Sequence, residues 1–307
     1  MKKADLILTS DWHIRETIPV CRTDDFWEAQ WEKVHFVKEL HQEHNCPVLH
    51  AGDLFHHWKP SPHLLSSTIE ALPYEFNTIY GQHDLPQHNW DNRFKSGIHT
   101  LAQARALSAF KFLHYPKKGL HITGASWGQP PEEIPIEVPD DEAKRKILVW
   151  HKMVWQGKRL WPGQTDPNAT AILKKYPEYD LILTGDNHKP FVEKYDGRLL
   201  VNPGSLTRQT AAQVDHLPRV YLYYAADNTV RSVFLPIQSG EETISRDHID
   251  RNEERSERIS AFITKLGGDW DVTLSFEANL EQFLQSNKVL ASVKKIIYAA
   301  MDHDTSE

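Results

Sequence analysis

Short apolar runs alternate with segments of helical spacing over the first two-thirds of the chain. Residues 4–10 are typical of a buried strand, because three consecutive apolar positions lie between polar ones. Residues 24–44 predict an amphipathic helix, since their tryptophan, valine and leucine positions fall on one face. The same reasoning predicts a helix over 61–71 and further strands over 47–50, 76–80, 120–127, 146–150 and 181–184.

Strands then follow one another directly, without helices between them. Paired runs over 191–201, 220–224 and 230–235 are separated by the turn signals Asp196-Gly197 and Asp227-Asn228. Alternating strands and helices followed by consecutive strands predict an α/β sandwich with mixed sheets.

The pattern changes after about residue 240. Residues 246–266 predict a charged helix, 272–276 a strand and 280–301 a second helix. We therefore expect a main domain over 1–240 and a small appended α+β domain over 241–307.

Composition is that of an ordinary globular chain, with 40% hydrophobic and 25% charged residues among 307. No run approaches the ~18 apolar residues of a membrane span, and the apolar run after Met1-Lys2-Lys3 is too short for a secretory signal. With only two cysteines, Cys21 and Cys46, we expect a reducing cytoplasm rather than a disulfide framework.

The net charge of −7 at first argues against a nucleic-acid substrate. Residues 241–307, however, carry 14 acidic and 8 basic side chains, so most of the excess lies in the appended segment. The main domain is close to neutral, and the objection largely disappears for it.

Polar side chains cluster where five predicted strands end. Because ligands bind at the carboxyl ends of strands in open α/β sheets, we expect these side chains to converge. They are Asp11 and His13, then Asp53, then Gln82, His83 and Asp84, then His151, and finally Asp186 and His188.

Carboxylates, imidazoles and an amide without thiolate form an oxygen and nitrogen ligand set. Such a set suits Mn²⁺, Fe or Zn²⁺ rather than Ca²⁺ or an iron–sulfur cluster. The number of ligands exceeds what one ion needs, so two ions ~3.5–4 Å apart are expected. Paired ions of this kind serve phosphoester hydrolysis.

The order of these motifs resembles that of the calcineurin-like metallophosphoesterase superfamily, whose usual pattern is D-x-H, G-D, G-N-H-D/E, H and G-H-x-H. Residues 202–205, Asn-Pro-Gly-Ser, match the strand and turn that commonly follow. Within that superfamily, residues 52–56 together with Lys59-Pro60-Ser61 resemble the SbcD-type DNA repair nucleases. The resemblance covers roughly residues 4–236.

The resemblance implies a four-layer α/β/β/α sandwich and a role for each site residue. Asp11, His13 and His188 would hold one metal ion, and Gln82, His151 and Asp186 a second. Asp53 would bridge both ions. In the catalytic set, His83 would sit beside the substrate, Asp84 would orient the His83 imidazole, and His56 would approach the scissile phosphate or the DNA end.

The sequence departs from the family pattern at three positions. Gln82 stands where asparagine is usual, and Asp186 replaces the first histidine of G-H-x-H. Both changes fall on the second metal and would favour Mn²⁺ or Mg²⁺. Arg15 occupies the neighbourhood of a glycine that is usual in the nuclease branch, and it could face a phosphate.

The resemblance implies a Mn²⁺-dependent DNA exonuclease or endonuclease, with Mg²⁺, Fe or Zn²⁺ as other possible ions. In-line attack by a hydroxide that bridges the ions would cleave the phosphodiester. A homodimer working with an SbcC-type SMC-like ATPase in recombination and repair is expected, in a bacterial or phage-infected cell. A phosphoprotein phosphatase, a small-molecule phosphodiesterase and a non-catalytic scaffold stay open as alternatives.

Overall fold

The computed structural model describes residues 2–134, 144–159, 163–247, 249, 276–286 and 289–302. The chain divides into two compact units, residues 1–246 and 247–307. The predicted strand at 272–276 and most of the predicted helix at 246–266 lie outside the described residues. The assignment of 241–307 to an appended domain stays a prediction.

The first sheet has six strands in the order β12-β11-β1-β2-β3-β4. Strands β1 to β4 run parallel, whereas β11 and β12 are antiparallel additions beside β1. Their bounds are Leu6–Thr9 for β1, Val48–His50 for β2, Phe76–Thr78 for β3, Ser108–Ala109 for β4, Arg219–Tyr224 for β11 and Thr229–Phe234 for β12.

The second sheet also has six strands, in the order β5-β6-β7-β8-β10-β9. Its central strands β6, β7, β8 and β10 are parallel, and β5 and β9 pair antiparallel at the edges. Their bounds are Phe112–Tyr115 for β5, Leu120–Ala125 for β6, Arg145–Trp150 for β7, Leu181–Thr184 for β8, Phe191–Tyr195 for β9 and Arg198–Asn202 for β10.

Three apolar layers hold the sheets and helices together. Leu6 and Leu8 of β1 point into the layer between the two sheets, where they meet side chains such as Val149 and Leu183. Ile7 points to the opposite face, toward the first helical layer. Since successive residues of a strand face opposite sides, the continuous apolar run of β1 is what a strand buried on both faces requires.

Helices cover the outer face of each sheet. The first sheet packs on α1 (Phe26–His44), α2 (Pro62–Ala71) and α3 (Gly97–Gln103), and the second on α4 (Ala169–Lys175). The α1 helix begins at Asp25, whose side chain accepts the N–H of Glu28, and ends at Asn45, which adopts a left-handed conformation.

The predicted α/β/β/α architecture with mixed sheets is therefore confirmed. Sequence periodicity missed the short elements α3, α4, β4 and β5. A further short helix, α5 (Gly240–Thr243), lies in the first unit, where the N–H of Ser245 donates to the carbonyl of Cys21. The helix predicted over 280–301 is two helices, α6 (Phe276–Ser286) and α7 (Ala291–Asp302). Among the described residues, no helix is both long and apolar enough to cross a membrane.

His50 of β2, which packs against Trp12 and Phe76, offers a test through pH of the packing between the first sheet and its helical layer. Its imidazole is fully buried, with Nδ1 2.8 Å from Thr78 Oγ1, and burial lowers the pKa of His50 to about 3. The unfolded chain therefore binds one more proton than the folded chain between the ordinary pKa of 6.5 and about 3. The free energy of unfolding should fall as pH drops through this window, by up to about 1.4 kcal/mol per pH unit from this group.

We expect His50→Gln to make this slope shallower in chemical denaturation series between pH 6.5 and 4. The matched control is His35→Gln, on the exposed side of α1. If His50→Gln and wild type gave the same slope, His50 would not be a neutral buried group in the fold.

Candidate metal centre

The predicted site residues follow the ends of five parallel strands, three in the first sheet and two in the second. Because both sets of strand ends lie at the same end of the sandwich, their loops meet. The residues after β1 are Asp11 and His13; after β2, Asp53 and His56; after β3, Gln82, His83 and Asp84; after β7, His151; and after β8, Asp186 and His188.

Four of these residues have a backbone conformation that side chains disfavour. The φ angles of Asp11, His13, Asp53 and Asp186 are +50°, +47°, +58° and +76°. Each such residue costs of order 1–3 kcal/mol, and such residues persist where surrounding structure fixes them, often at functional sites. The strained turns aim the side chains away from the strand direction and toward one another.

Asp11, His13 and His188 form one cluster, whose candidate ligand atoms lie within 4.8 Å of one another. The Nε2 atoms of His13 and His188 are 3.1 Å apart, and Asp11 Oδ1 lies 4.0 Å from His188 Nε2. Two imidazole nitrogens bound to one ion at about 2.1 Å would be about 3.0–3.4 Å apart. The observed spacing therefore fits a shared cation.

Asp53 forms a second cluster together with His151 and with Asp11, which also belongs to the first cluster. Its Oδ2 atom is 3.8 Å from His13 Nε2 and 3.4 Å from His151 Nε2. Its Oδ1 atom accepts the backbone N–H of His83 at 2.9 Å. Asp53 therefore contacts histidines that follow strands of both sheets, and its role as a bridge between two ions stays a prediction.

Gln82 and Asp186, the two departures from the family pattern, contact each other. Gln82 Nε2 donates to Asp186 Oδ1 at 2.7 Å, while Gln82 Oε1 lies 2.5 Å from His151 Nε2. The backbone N–H of Asp186 also donates to Asp11 Oδ1 at 2.9 Å. The structure thus brings Gln82, His151 and Asp186 into contact, and their role as a ligand set for one ion stays a prediction.

Electrostatics at the centre are dominated by buried carboxylates. Burial raises the pKa of Asp11, and the neighbouring charge of Asp53 raises it further, although His188 and His151 oppose the rise. Burial disfavours the charged form of His151, but Asp53, Asp11 and Asp186 raise the pKa of its imidazole to about 10. Without other cations, a proton on His151 balances the carboxylates.

Two carboxylate oxygens test whether metal ions fit this site. Asp11 Oδ2 and Asp53 Oδ2 are buried and have no hydrogen-bond partner among the described residues. Burying a carboxylate oxygen without a partner is costly, and a coordinated cation removes the cost. Together with the surrounding imidazoles, these atoms fit a pair of divalent ions.

The structure gives Asp84 a role different from the predicted one. Its buried carboxylate accepts four backbone N–H groups: Oδ2 from Gly81, Asp53 and Leu54, and Oδ1 from Phe55. The oxygen that faces Nδ1 of His83 is instead the carbonyl of His56, 2.9 Å away. Asp84 therefore ties the loops after β2 and β3 together, and the expected orientation of the His83 imidazole by this carboxylate is wrong.

His83 and His56 lie at the edge of the two clusters. Their rings stack, with centroids 5.5 Å apart and an interplanar angle of 24°. The His83 ring also meets the His13 ring edge-on at 4.8 Å. Both predicted catalytic imidazoles therefore lie beside His13, and these three imidazoles are themselves close enough together to hold an ion.

Asn202 is a supporting residue to which sequence analysis gave no role. Its side-chain amide donates to the carbonyls of Asn187 and Lys189, at 2.5 and 2.9 Å, and so fixes the loop that carries Asp186 and His188. The signal was present in the Asn-Pro-Gly-Ser match at 202–205, but a contact with the loop after β8 cannot be read from spacing.

Comparisons with known proteins identify the family of the chain. The sequence model of the calcineurin-like phosphoesterase superfamily domain matches residues 5–222. A relative is the DNA double-strand break repair protein Mre11 of Archaeoglobus fulgidus, 21% identical over 249 residues, covering 71% of this chain and 53% of the relative. The chain thus spans about half the length of that relative.

Similar solved structures include a novel archaeal phosphodiesterase, with 14% identity, a TM-score of 0.41 and coverage of 75% of this chain and 99% of that one. A metallophosphoesterase from Sphaerobacter thermophilus has 12% identity, a TM-score of 0.40 and coverage of 77% and 90%.

Asp11→Asn tests the fit of metal ions. Asparagine keeps Oδ1 as the acceptor for the N–H of Asp186 but removes the charge and the unpartnered oxygen. At a Mn²⁺ concentration 100 times the dissociation constant, wild type should gain about 2.7 kcal/mol of unfolding free energy per ion. The variant should lose most of this gain, which is measured by thermal unfolding with and without Mn²⁺.

The control is Asp196→Asn, on an exposed hairpin turn, which should keep the stabilisation by Mn²⁺. If Asp11→Asn were stabilised by Mn²⁺ as much as wild type, Asp11 would not be a metal ligand.

Gly81→Ala tests how tightly Asp53 is held. A Cβ at Gly81 would lie 2.0 Å from Asp53 Oδ1, so the carboxylate must move. We expect Mn²⁺ affinity to fall at least tenfold in titration calorimetry, with about 1–3 kcal/mol of lost stability. In the control Gly128→Ala, the added Cβ meets nothing within 4 Å, and affinity should be unchanged. Equal affinity in both variants would show that Asp53 is free to relocate.

Proposed function

Because the chain belongs to the calcineurin-like phosphoesterase superfamily, we propose that it is a metal-dependent DNA nuclease of SbcD type. The observation that carries the hydrolytic part is the pair of buried, unpartnered carboxylate oxygens of Asp11 and Asp53 among imidazoles from both sheets. The similarity to the archaeal DNA double-strand break repair protein supports DNA as the substrate.

In this proposal, Asp11, His13 and His188 would hold one ion, Gln82, His151 and Asp186 would hold the other, and Asp53 would contribute to both. The oxygen and nitrogen donors suit Mn²⁺, and the carboxylate of Asp186 adds negative charge for a hard cation. When bound, two such ions activate water and neutralise the charge that develops on the phosphoryl group.

His83 acts on the leaving oxygen in this proposal. Its Nδ1 faces the carbonyl of His56 at 2.9 Å, which fixes the proton on Nδ1 and leaves Nε2 for the substrate. Protonated at Nε2, the imidazole donates a hydrogen bond to the phosphoryl group and then a proton to the leaving oxygen. The stacked His56 ring limits the orientations that His83 can adopt.

Asp84 positions this machinery without touching the substrate. By accepting N–H groups from residues 53–55 and from Gly81, its carboxylate fixes the turn that carries Asp53 relative to the turn that carries His83. The backbone N–H of His83 in turn donates to Asp53 Oδ1. The shared ligand and the acid are therefore held in one rigid unit.

We propose further that the protein acts as a homodimer with an SbcC-type SMC-like ATPase in DNA recombination and repair, in the cytoplasm of a bacterial or phage-infected cell. The similarity to an SbcD-type nuclease supports the partner, and the two buried free cysteines, Cys21 and Cys46, are consistent with a reducing compartment. Leu290 and Val293 near and in α7 are exposed apolar side chains that such a partner could cover.

His83→Ala tests the nuclease. Wild type should cleave end-labelled single- or double-stranded DNA with Mn²⁺ and lose this activity with a chelator. The variant should lower kcat by about 10²–10⁴-fold, because the proton donor is gone, while bound Mn²⁺ measured by elemental analysis stays at the wild-type level. The control His63→Ala changes an exposed histidine of α2 and should leave cleavage intact.

Other results would select a different function. Hydrolysis of an aryl phosphodiester without DNA cleavage would favour a small-molecule phosphodiesterase or a phosphatase. Less than one bound ion, with no effect of Mn²⁺ on DNA cleavage, would favour a non-catalytic scaffold. Loss of both Mn²⁺ and activity in His83→Ala would make His83 a metal ligand.

A further inference from the structure

The segment after β1 runs beside the segment after β2 and places Arg15 next to the metal centre. Ile14 and Phe55 form a parallel bridge, in which the N–H of Ile14 donates to Leu54 and the N–H of His56 donates to the carbonyl of Ile14. Ile14 and Phe55 are buried in the core. Because neighbours along an extended segment face opposite sides, Arg15 lies on the side of His56, away from the core.

A buried glutamine holds the backbone of Arg15. Gln30 of α1 is 1% exposed. Its Oε1 accepts the N–H of Arg15 at 3.1 Å, and its Nε2 donates to the Arg15 carbonyl at 2.8 Å. The side-chain amide of Gln30 thus forms both of its hydrogen bonds with the backbone of Arg15. These bonds fix the position of the Arg15 Cα atom, from which the side chain extends.

The guanidinium of Arg15 is partly exposed and has no acidic partner. Its Nε donates to Thr17 Oγ1 at 2.8 Å, and no ion pair involves it within the described part of the chain. The charge acts on the site, because burial and the Arg15 guanidinium together lower the pKa of His56 to about 4. The His56 ring stacks on His83, whose backbone N–H binds Asp53.

An arginine fork without a carboxylate partner, held firmly beside a phosphoester site, has the chemistry of a phosphate ligand. Arg15 lies on the same side of the bridge as His56, whose ring contacts the rings of His13 and His83. Resting on the proposed function, we infer that Arg15 binds the phosphate next to the scissile one. The substrate is then a chain of phosphodiesters, and an isolated diester lacks this contact.

The experiment compares Arg15→Gln with the parent protein on two substrates. Affinity for a fluorescent twelve-nucleotide oligothymidylate is measured by anisotropy on the Mn²⁺-loaded His83→Ala background. Hydrolysis of bis(p-nitrophenyl) phosphate is measured with His83 intact. We expect affinity for the oligonucleotide to fall about tenfold or more, and kcat/KM for the isolated diester to stay within about twofold.

Salt dependence gives a second readout, because one lost phosphate contact should reduce the slope of log affinity against log salt by about 0.7. Arg15→Lys should restore part of the affinity, since the charge returns without the fork. The control Arg105→Gln changes an exposed arginine between α3 and β4 and should change neither readout.

Gln30→Leu tests the positioning residue. It should weaken oligonucleotide binding in the direction of Arg15→Gln while leaving hydrolysis of the isolated diester unchanged, whereas a merely structural role would lower both together with the melting temperature.

Unchanged oligonucleotide affinity in Arg15→Gln would overturn the inference, and so would equal losses on both substrates, which would place Arg15 at the scissile phosphate. Absence of oligonucleotide binding in the parent would overturn it as well. If wild type binds the oligonucleotide through Arg15 but does not cleave it, the proposed nuclease fails while the Arg15 subsite stands.

Discussion

The burial of two carboxylates, Asp11 and Asp53, just after two neighbouring strands of the first sheet is the constraint on which the site depends. Each presents an oxygen that finds no hydrogen-bond donor in the described part of the chain. Desolvating such charges costs several kcal/mol per ion unless another charge compensates. A proton on His151, whose pKa is raised to about 10, supplies one compensation, and bound divalent cations supply a stronger one. The candidate site is thus suited to positive charge, and four of its residues have a disfavoured backbone conformation.

The sandwich fold tolerates these disfavoured backbone conformations because its strands are held by packing outside the turns. The core between the sheets is apolar along β1, β2, β7 and β8, so the packing of the strands does not depend on contacts within the candidate site. Asp84 then ties the loops after β2 and β3, and Asn202 ties the loop after β8 to the end of β10. Carboxylate and amide side chains that never reach the reacting atoms therefore set the geometry of those that do.

Sequence patterns predicted the strands that carry the site, because a short continuous apolar run such as residues 6–8 is typical of a buried strand in an α/β chain. The short elements α3, α4, β4 and β5 were missed, since each has too few residues for a period to show. The site residues could be located through the order of strand ends, but their contacts could not. We expected the Asp84 carboxylate to bind a side chain, the His83 imidazole, but it binds backbone N–H groups. Every residue except proline has such a group, so the sequence does not indicate which of them will be bound. The contact between Gln82 and Asp186 spans 104 positions, and each was interpreted separately as a departure from the family pattern.

Because of that contact, the two departures from the family pattern are best explained together. The amide N–H of Gln82 donates to the carboxylate of Asp186, while the amide oxygen of Gln82 faces His151. Asparagine at position 82 would be one methylene too short to reach both Asp186 and His151. Histidine at position 186 would place an imidazole ring, in place of a carboxylate oxygen, opposite the amide N–H of Gln82. The two positions therefore act as one unit, because exchanging either residue alone toward the common family pattern removes the hydrogen bond that the other one makes.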